Sequence, residues 1–258
     1  MGDLGVRLVS GVIGLVLLIG VLLLGGHYLS FSILFLSLIA LREFYNAVRK
    51  MGLNPFDIVG YSGAVLLFIA NYFDIISNDF IISLVLVVSL AATVISKGRD
   101  IKDSAITMIG ILYIPFLLFH ILYLDGSVYL WLIFLIAFGT DTFAYLIGSK
   151  YGKNKLCPEI SPKKSVEGAI GGIIGSILVS LLYSMFTEIS PLWSVATLAL
   201  AGSIISQLGD LTASRIKRAA GIKDYGRIMP GHGGMLDRFD SIIFAAPVVY
   251  YYAHYFFM

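Results

Sequence analysis

Nine apolar runs, most of them about 20 residues long, constrain the fold of this chain more than any other feature. They cover residues 6–25, 28–46, 57–73, 78–96, 104–124, 128–149, 168–187, 192–214 and 239–257. A helix needs roughly 20 apolar residues to cross about 30 Å of hydrocarbon. Charged residues make up only 13% of the chain, against about 25% in a typical soluble domain. The sequence therefore predicts an all-α integral membrane protein with about nine transmembrane helices.

The charges between these runs are segregated. Every Lys and Arg falls on one side of the predicted membrane, whereas the opposite side carries only the carboxylates of Asp74, Asp79, Asp125 and Glu188. Because basic loops stay in the cytoplasm, this pattern predicts a cytoplasmic N-terminus and an external C-terminus. We expect a multi-pass protein of the cell membrane, of the bacterial inner-membrane type.

Two predicted cytoplasmic loops, residues 149–167 and 214–238, are longer than a simple connection requires. Long irregular segments in compact domains are usually functional or disordered. The sequence thus predicts an N-terminal region, 1–127, of about five spans, and a C-terminal catalytic region, 128–258, that holds both loops. The single cysteine, Cys157, excludes an intrachain disulfide framework and a cysteine zinc site.

Four aspartates of the C-terminal region lie in or beside apolar runs. Asp141 and Asp210 stand inside spans, where a carboxylate costs roughly 2.5–3.5 kcal/mol at mid-membrane and so usually faces a cavity, a partner or an ion. Asp237 and Asp240 open the last span, near the positive end of its helix dipole. The alternatives are a snorkelling side chain for Asp141 and helix capping for Asp237 and Asp240.

A polar stripe leads out of the eighth run. Its residues follow intervals of 4, 3, 4 and 3, which place them on one face of a helix that continues from the membrane into the cytoplasm. They are Ser203, Gln207, Asp210, Ser214 and Lys217. A polar stripe of this length on a buried helix is expected to line a water-accessible cavity. The pattern therefore favours a site at the inner membrane face.

Cations and glycines lie between the aspartates. Mg²⁺ prefers carboxylate oxygens together with substrate phosphates, and Lys and Arg neutralise phosphate oxygens. Glycines allow backbone N–H groups to approach an anion closely. The cations are Lys217, Arg218, Lys223 and Arg238, and the glycine turn is Gly231-His232-Gly233-Gly234. Ordinary positive-inside charge is the alternative for the cations, and His232 is a phosphate donor, a proton shuttle or a structural bond.

The order of these residues resembles a family pattern. The pattern reads Ser214-x-Ile216-Lys217-Arg218-x4-Lys223-Asp224-x-Gly226-x3-Pro230-x-His232-Gly233-Gly234-x2-Asp237-Arg238-x-Asp240, with Ser161-Pro162-x-Lys164-Ser165 upstream. It resembles the phosphatidate cytidylyltransferases, also called CDP-diacylglycerol synthases. The resemblance covers the C-terminal half well, whereas the first five spans match only in hydropathy. Ala213 stands where family members often carry Glu.

The resemblance implies that CTP and phosphatidic acid give CDP-diacylglycerol and pyrophosphate at the cytoplasmic face of the bilayer. It also implies roles for individual residues. The catalytic residues are Asp210, Asp237, Lys217 and Arg238; the metal ligands are Asp210, Asp237, Asp240 and Asp141; the substrate-binding residues are Ser161, Lys164, Ser214, Arg218, Lys223, Asp224, His232, Gly233 and Gly234. The expected ion is Mg²⁺, with Mn²⁺ as an alternative and a second cation as an option. We expect no nucleic-acid partner, and the glycine-rich helix faces favour a homodimer.

Three other functions stay open at this level. An ion-coupled transporter also uses intramembrane carboxylates, but these acids cluster at one membrane face instead of crossing it. A CDP-alcohol phosphotransferase resembles its own family through an Asp-Gly-x2-Ala-Arg pattern, which this sequence lacks. A lipid kinase would transfer the terminal phosphate of a nucleotide and release no pyrophosphate.

Overall fold

The computed structural model describes residues 3–189, 191–231 and 233–257, which are mostly helical. The α-helices, in chain order, are α1 (Asp3–Leu24), α2 (Gly26–Arg49), α3 (Asp57–Phe73), α4 (Asn78–Ile95), α5 (Ile101–Ile111), α6 (Tyr129–Tyr151), α7 (Val166–Thr187), α8 (Leu192–Ala219) and α9 (Leu236–Phe256). Each predicted apolar run overlaps one of these helices, and the prediction of a helical membrane protein is confirmed.

Among the described residues, six helical segments are long and apolar enough to cross a membrane by length and composition. They are Gly26–Arg49, Asn78–Ile95, Ile101–Leu124, Tyr129–Tyr151, Val166–Thr187 and Leu192–Ala219. Val9–Leu24 and Asp57–Phe73 are shorter apolar helices. Helix α9 is not among the six, and its first five residues include the charged Asp237, Arg238 and Asp240. The figure of nine spans and the orientation of the termini therefore stay predictions.

The fifth run is less regular than predicted. After α5 the chain forms a π-helical segment, Leu112–Phe116, and then a 3₁₀-helical segment, Phe119–Leu124. The cause is Pro115, which has no N–H to donate and crowds the preceding turn. A π-helical turn absorbs that interruption without ending the helical path.

The first predicted loop, 149–167, contains a β-hairpin that the sequence did not reveal. Strands β1 (Lys155–Cys157) and β2 (Ser161–Ser165) pair antiparallel, with Lys155 opposite Ser165. The Glu167 carboxylate in the first turn of α7 accepts the backbone N–H groups of Lys153 and Asn154 at 3.1 and 3.2 Å. The hairpin is thus tied back to the helix that follows it.

The second predicted loop, 214–238, starts later than expected because α8 runs on to Ala219. All five residues of the polar stripe lie in this one helix, as predicted. Lys217, Arg218 and Ala219 are good helix formers, and the helix stops where Gly221 adopts a positive φ of 66°. The N–H of Gly221 bonds to the carbonyl of Arg218, which closes the last turn.

The chain divides into two compact units. The first unit runs up to Asp125 and includes Ile216–Phe239; the second comprises Gly126–Arg215 and the chain from Asp240 onward. In the core of the first unit, the buried Tyr45 hydroxyl donates to the carbonyl of Thr107 at 2.9 Å. In the second unit, Gly168 of α7 faces Gly148 of α6 so closely that an added Cβ would stand 3.0 Å from the Gly148 Cα.

The contact between α6 and α7 predicts a large difference between two helical glycines. A Cβ at Gly172 would lie 2.8 Å from the carbonyl oxygen of Thr140, whereas a Cβ at Gly20 in α1 would meet nothing within 4 Å. Overpacking of this kind costs about 1–3 kcal/mol. We expect Gly172→Ala to lower the Tm of the detergent-solubilised protein and Gly20→Ala to leave it unchanged or raise it. Equal Tm values for the two variants would contradict this packing.

Candidate active site

Asp237 is one of the buried residues of the predicted site. It lies in the first turn of α9, and its side chain is only 2% exposed. One carboxylate oxygen, Oδ2, accepts the backbone N–H groups of Tyr225 at 2.8 Å and Gly234 at 2.9 Å. The other oxygen, Oδ1, accepts the Lys217 ammonium at 2.7 Å. Since backbone donors hold one oxygen, the other is the one that can exchange partners.

Lys217 and Tyr225 complete this centre of the first unit. The Lys217 side chain is 12% exposed, and its ammonium lies 5.5 Å from the centroid of the Tyr225 ring. An ammonium over an aromatic face is attracted by the ring quadrupole. Lys217 therefore has two partners that hold it beside Asp237. The two residues, each predicted for the site from the sequence, form a close ion pair in the structure.

The glycine turn before α9 has the conformation that its sequence predicts. Gly231 and Gly233 have positive φ angles of 75° and 90°, a region that residues with a Cβ rarely adopt. The N–H of Met229 bonds to the carbonyl of Gly233 at 3.0 Å, which closes the turn. His232, which the sequence assigned to phosphate binding, lies outside the described residues.

The other predicted residues of the first unit lie at its surface. Lys223, Asp224 and Arg238 are exposed. Arg218 is also exposed, and its Nη1 bonds to the carbonyl of Ile222 at 3.4 Å. These side chains are open to a ligand that approaches from solvent.

Glu43 belongs to the same centre, and the sequence reasoning missed it. This residue of α2 is 5% exposed, and its two carboxylate oxygens accept the N–H groups of Met235 at 3.0 Å and Leu236 at 2.8 Å. A Cβ at Gly234 would stand 2.5 and 2.6 Å from those oxygens. The signal was available, because Glu43 is a carboxylate within the second apolar run and the criterion used for Asp141 applies to it equally.

In the second unit, Asp210 of α8 pairs with Lys164 of β2. The two side chains are 23% and 28% exposed, so this pair is more open than that of Asp237 and Lys217. Ser214, one turn further along α8, donates to Oδ1 of Asp210 at 3.4 Å. The hairpin supplies Lys164 from β2, and Ser161 lies at the other end of the same strand, opposite Cys157.

Asp141 and Asp240 are also brought together in the second unit, through Ser241. The Ser241 hydroxyl lies 3.2 Å from Oδ2 of Asp141 and 3.3 Å from Oδ1 of Asp240, and the Ser241 N–H donates to Asp240 at 2.8 Å. Asp240 is buried, whereas Asp141 is exposed. Both carboxylates therefore share one hydroxyl, as two predicted metal ligands would if they served one site.

A glycine lets α8 approach this pair. A Cβ at Gly209 would lie 2.6 Å from the backbone oxygen of Asp240. Any larger residue would push apart the two helices that carry Asp210 and Asp240. The second unit thus has three of the four predicted metal ligands on helices in close contact.

The carboxylate oxygens of the predicted site suit a hard cation that binds together with a phosphate-bearing substrate. Across the part of the chain that the structure describes, no three or more His, Cys, Asp or Glu side chains form a group that could hold a metal by themselves. Mg²⁺ usually takes only one or two carboxylates and completes its shell with water and substrate phosphates. The carboxylates of Asp210 and Asp237 fit that mode of binding, and a structural metal cage does not.

The candidate membrane spans and the two lysine–aspartate pairs, one in each unit, define a class of protein: a polytopic helical membrane protein with ion pairs among its predicted site residues. The sequence model of the cytidylyltransferase family matches residues 5–256. The phosphatidate cytidylyltransferase of Staphylococcus haemolyticus is 37% identical over 251 residues, covering 95% of this chain and 96% of that protein. Those of Staphylococcus epidermidis and Staphylococcus aureus are 39% and 36% identical with the same coverage.

The chain therefore belongs to the cytidylyltransferase family, and it is a nucleotidyltransferase. The family match extends through residues 5–256, so it includes the N-terminal spans, which the sequence reasoning had matched only in hydropathy. The resemblance inferred from the C-terminal motifs is confirmed.

Proposed function

We propose that this protein transfers CMP from CTP to phosphatidic acid, which gives CDP-diacylglycerol and pyrophosphate for phospholipid biosynthesis. The observation that carries the proposal is the lysine–aspartate pair in each unit, Lys217 with Asp237 and Lys164 with Asp210. It occurs in a chain whose relatives, 36–39% identical over 95% of its length, are phosphatidate cytidylyltransferases.

The reaction needs no protein nucleophile. The phosphate monoester of the lipid is anionic at pH 7 and attacks the α-phosphorus of CTP, while the bond between the α-phosphorus and its bridging oxygen breaks and pyrophosphate leaves. Two polyanions must be aligned against their mutual repulsion. Catalysis of such a step is mainly positioning and electrostatic stabilisation.

Asp210 and Asp237 are the proposed metal ligands, with Asp240 and Asp141 in a supporting role or at a second cation. When bound, Mg²⁺ or Mn²⁺ neutralises phosphate oxygens and favours departure of pyrophosphate. The oxygen of Asp237 that accepts from Lys217, Oδ1, is the atom suited to a metal, because Oδ2 already accepts two backbone N–H groups. The Ser241 hydroxyl keeps the carboxylates of Asp141 and Asp240 oriented.

The two lysines have a second proposed role. In the substrate-free protein each ammonium neutralises an aspartate that would otherwise stand as an isolated charge of low exposure. A bound triphosphate offers each ammonium a more strongly charged partner. Lys217 and Lys164 would then bind phosphate oxygens, which would leave Oδ1 of Asp237 and Oδ2 of Asp210 able to hold a metal.

The exposed residues bind the ends of the substrates. Arg218, Lys223 and Arg238 are proposed to contact the triphosphate and the lipid phosphate, since Arg offers two parallel N–H donors to a phosphate. The proposed remaining substrate contacts are Ser161, Ser214, Asp224, His232, Gly233 and Gly234. The family pattern assigns these positions, and the positive φ of Gly233 suits an anion held by backbone N–H groups.

The proposed setting is the cell membrane, with nine spans, a cytoplasmic N-terminus and a site open to cytoplasmic CTP and to lipid in the bilayer. The segregation of Lys and Arg supports this orientation. A homodimer is also proposed. The glycines of α7 pack against α6 within the chain, so a dimer would use another face, and chemical crosslinking in membranes tests it.

A direct assay separates the proposed reaction from its alternatives. Purified protein with phosphatidic acid and CTP labelled at the α-phosphorus is expected to give labelled lipid and an equal amount of pyrophosphate. EDTA should abolish both products, and added Mg²⁺ should restore them. Labelled lipid from γ-labelled CTP would indicate a lipid kinase, and CMP release from a CDP-lipid would indicate a phosphotransferase. The proposal would be contradicted if membranes that contain the folded protein and both substrates gave no CTP-dependent product.

A further inference from the structure

Glu43 binds the two backbone N–H groups that immediately precede Asp237 in the chain. Its two carboxylate oxygens take the N–H groups of Met235 and Leu236, at 3.0 and 2.8 Å. The N–H just before these, that of Gly234, donates to Asp237 at 2.9 Å. Three successive backbone donors are therefore divided between two carboxylates, one from α2 and one from α9.

The local sequence makes room for this contact. A Cβ at Gly234 would lie 2.5 Å from Oε1 of Glu43 and 2.6 Å from the N of Gly226. A Cβ at Gly226 would lie 2.9 Å from Cδ of Glu43. Gly226 and Gly234 thus leave the space that the Glu43 carboxylate occupies, and a side chain at either position would collide with it.

The residues beside Glu43 show that it is a fixed group. Its neighbours along α2, Phe44 and Tyr45, are 1% and 0% exposed. A side chain on such a helix has little freedom to move. The first N–H groups of a helix have no partner within it, and Glu43 satisfies two that lie at the start of α9.

We infer that Glu43 is a positioning residue for the transfer reaction: it holds the Gly234–Leu236 turn and thereby sets the direction of the Asp237 carboxylate. This inference rests on the proposed function for its kinetic consequence. The hydrogen bonds between Glu43 and the turn do not depend on the proposed function. Glu43 does not touch substrate; it acts through Asp237.

The test compares Glu43→Gln with a matched control, Asp103→Asn. Asp103 is also a buried carboxylate of the first unit, and its oxygens accept the N–H groups of Asn54 at 2.6 Å and Asp100 at 3.2 Å. Both substitutions remove one charge and one good acceptor for a backbone N–H. The control therefore reproduces the structural loss without touching the turn.

Two measurements are made on each purified full-length protein. Hydrogen exchange followed by mass spectrometry, without substrate, is expected to show faster exchange across residues 226–240 in Glu43→Gln and no change there in Asp103→Asn. Steady-state kinetics should show kcat lower by about 10²-fold in Glu43→Gln, the loss typical of a misplacement of about 1 Å, and a higher Mg²⁺ concentration for half-maximal rate. Asp103→Asn should retain both constants per folded molecule.

The outcomes separate the inference from the proposed function. Wild-type kcat and unchanged exchange in Glu43→Gln would overturn the inference while the proposed function stands. A wild-type protein that makes no CDP-diacylglycerol would overturn the proposed function, and the exchange data would still decide whether Glu43 holds the turn. If Glu43→Gln does not fold, Glu43→Asp takes its place, with the same exchange change and a smaller loss of kcat expected; unchanged exchange there would also overturn the inference.

Discussion

Asp237→Asn is expected to lower kcat on the order of 10³-fold, the upper range for removal of one preorganised electrostatic group. The substitution should also destabilise the protein by about 3–5 kcal/mol, because it leaves the Lys217 ammonium as an unpaired charge of low exposure. Asparagine has a single acceptor oxygen. It cannot serve both Lys217 and the N–H groups of Tyr225 and Gly234. Pyrophosphate release by purified, folded variant measures the first effect, and thermal unfolding measures the second.

A double variant separates the two effects of Asp237. Lys217→Met combined with Asp237→Asn removes both charges, so much of the lost stability should return. The activity should not return, because neither the carboxylate nor the ammonium is present. Recovery of activity together with stability would mean that Asp237 acts only through folding, and the assignment to the metal would then be wrong.

Asp210→Asn is expected to lower kcat by about 10²-fold with little loss of stability. The pair of Asp210 and Lys164 is partly exposed, and a pair of that kind contributes about 0–1 kcal/mol. Asp210→Asn should therefore lower activity without lowering stability by a comparable amount. The measurement is the same pyrophosphate assay, repeated over a range of Mg²⁺ concentrations.

The matched control for Asp210 is Asp57→Asn. Asp57 forms an ion pair with Arg49, and its side chain is 42% exposed. Its loss should cost as little stability as that of Asp210 and leave kcat unchanged. An Asp210→Asn variant within tenfold of the wild type, about 1.4 kcal/mol in barrier height, would contradict the role given to Asp210.

The helices were largely predictable because hydrocarbon imposes a length and a composition on any segment that crosses it. The run at 57–73 coincides with helix α3 in both bounds. Extending α8 as far as Lys217 was also predictable, since the polar stripe keeps the helical interval. The hairpin at 155–165 was not, because its strands are short and Glu167 ties the hairpin to α7 through backbone N–H groups, which every sequence possesses.

The candidate site was predicted in its residue types and only partly in its contacts. Spacing along the chain pointed to Asp210, Lys217 and Asp237, and the structure places two of them in one ion pair. The spacing could not reveal that Tyr225 donates a hydrogen bond to Asp237, because the donor is a main-chain N–H. Glu43 itself could have been selected as a carboxylate within an apolar run. Its partners could not, because it precedes them by almost 200 positions and no local pattern spans that interval.

That separation has a consequence for how the protein is made. Glu43 leaves the ribosome 192 residues ahead of Met235, which at about 5–20 residues per second is a wait of about 10–40 s. Throughout that interval its carboxylate lacks both N–H partners. The turn beside Asp237 can therefore form only after Met235 and Leu236 have been synthesised, so the Glu43 carboxylate waits for these partners while α3 to α8 are made.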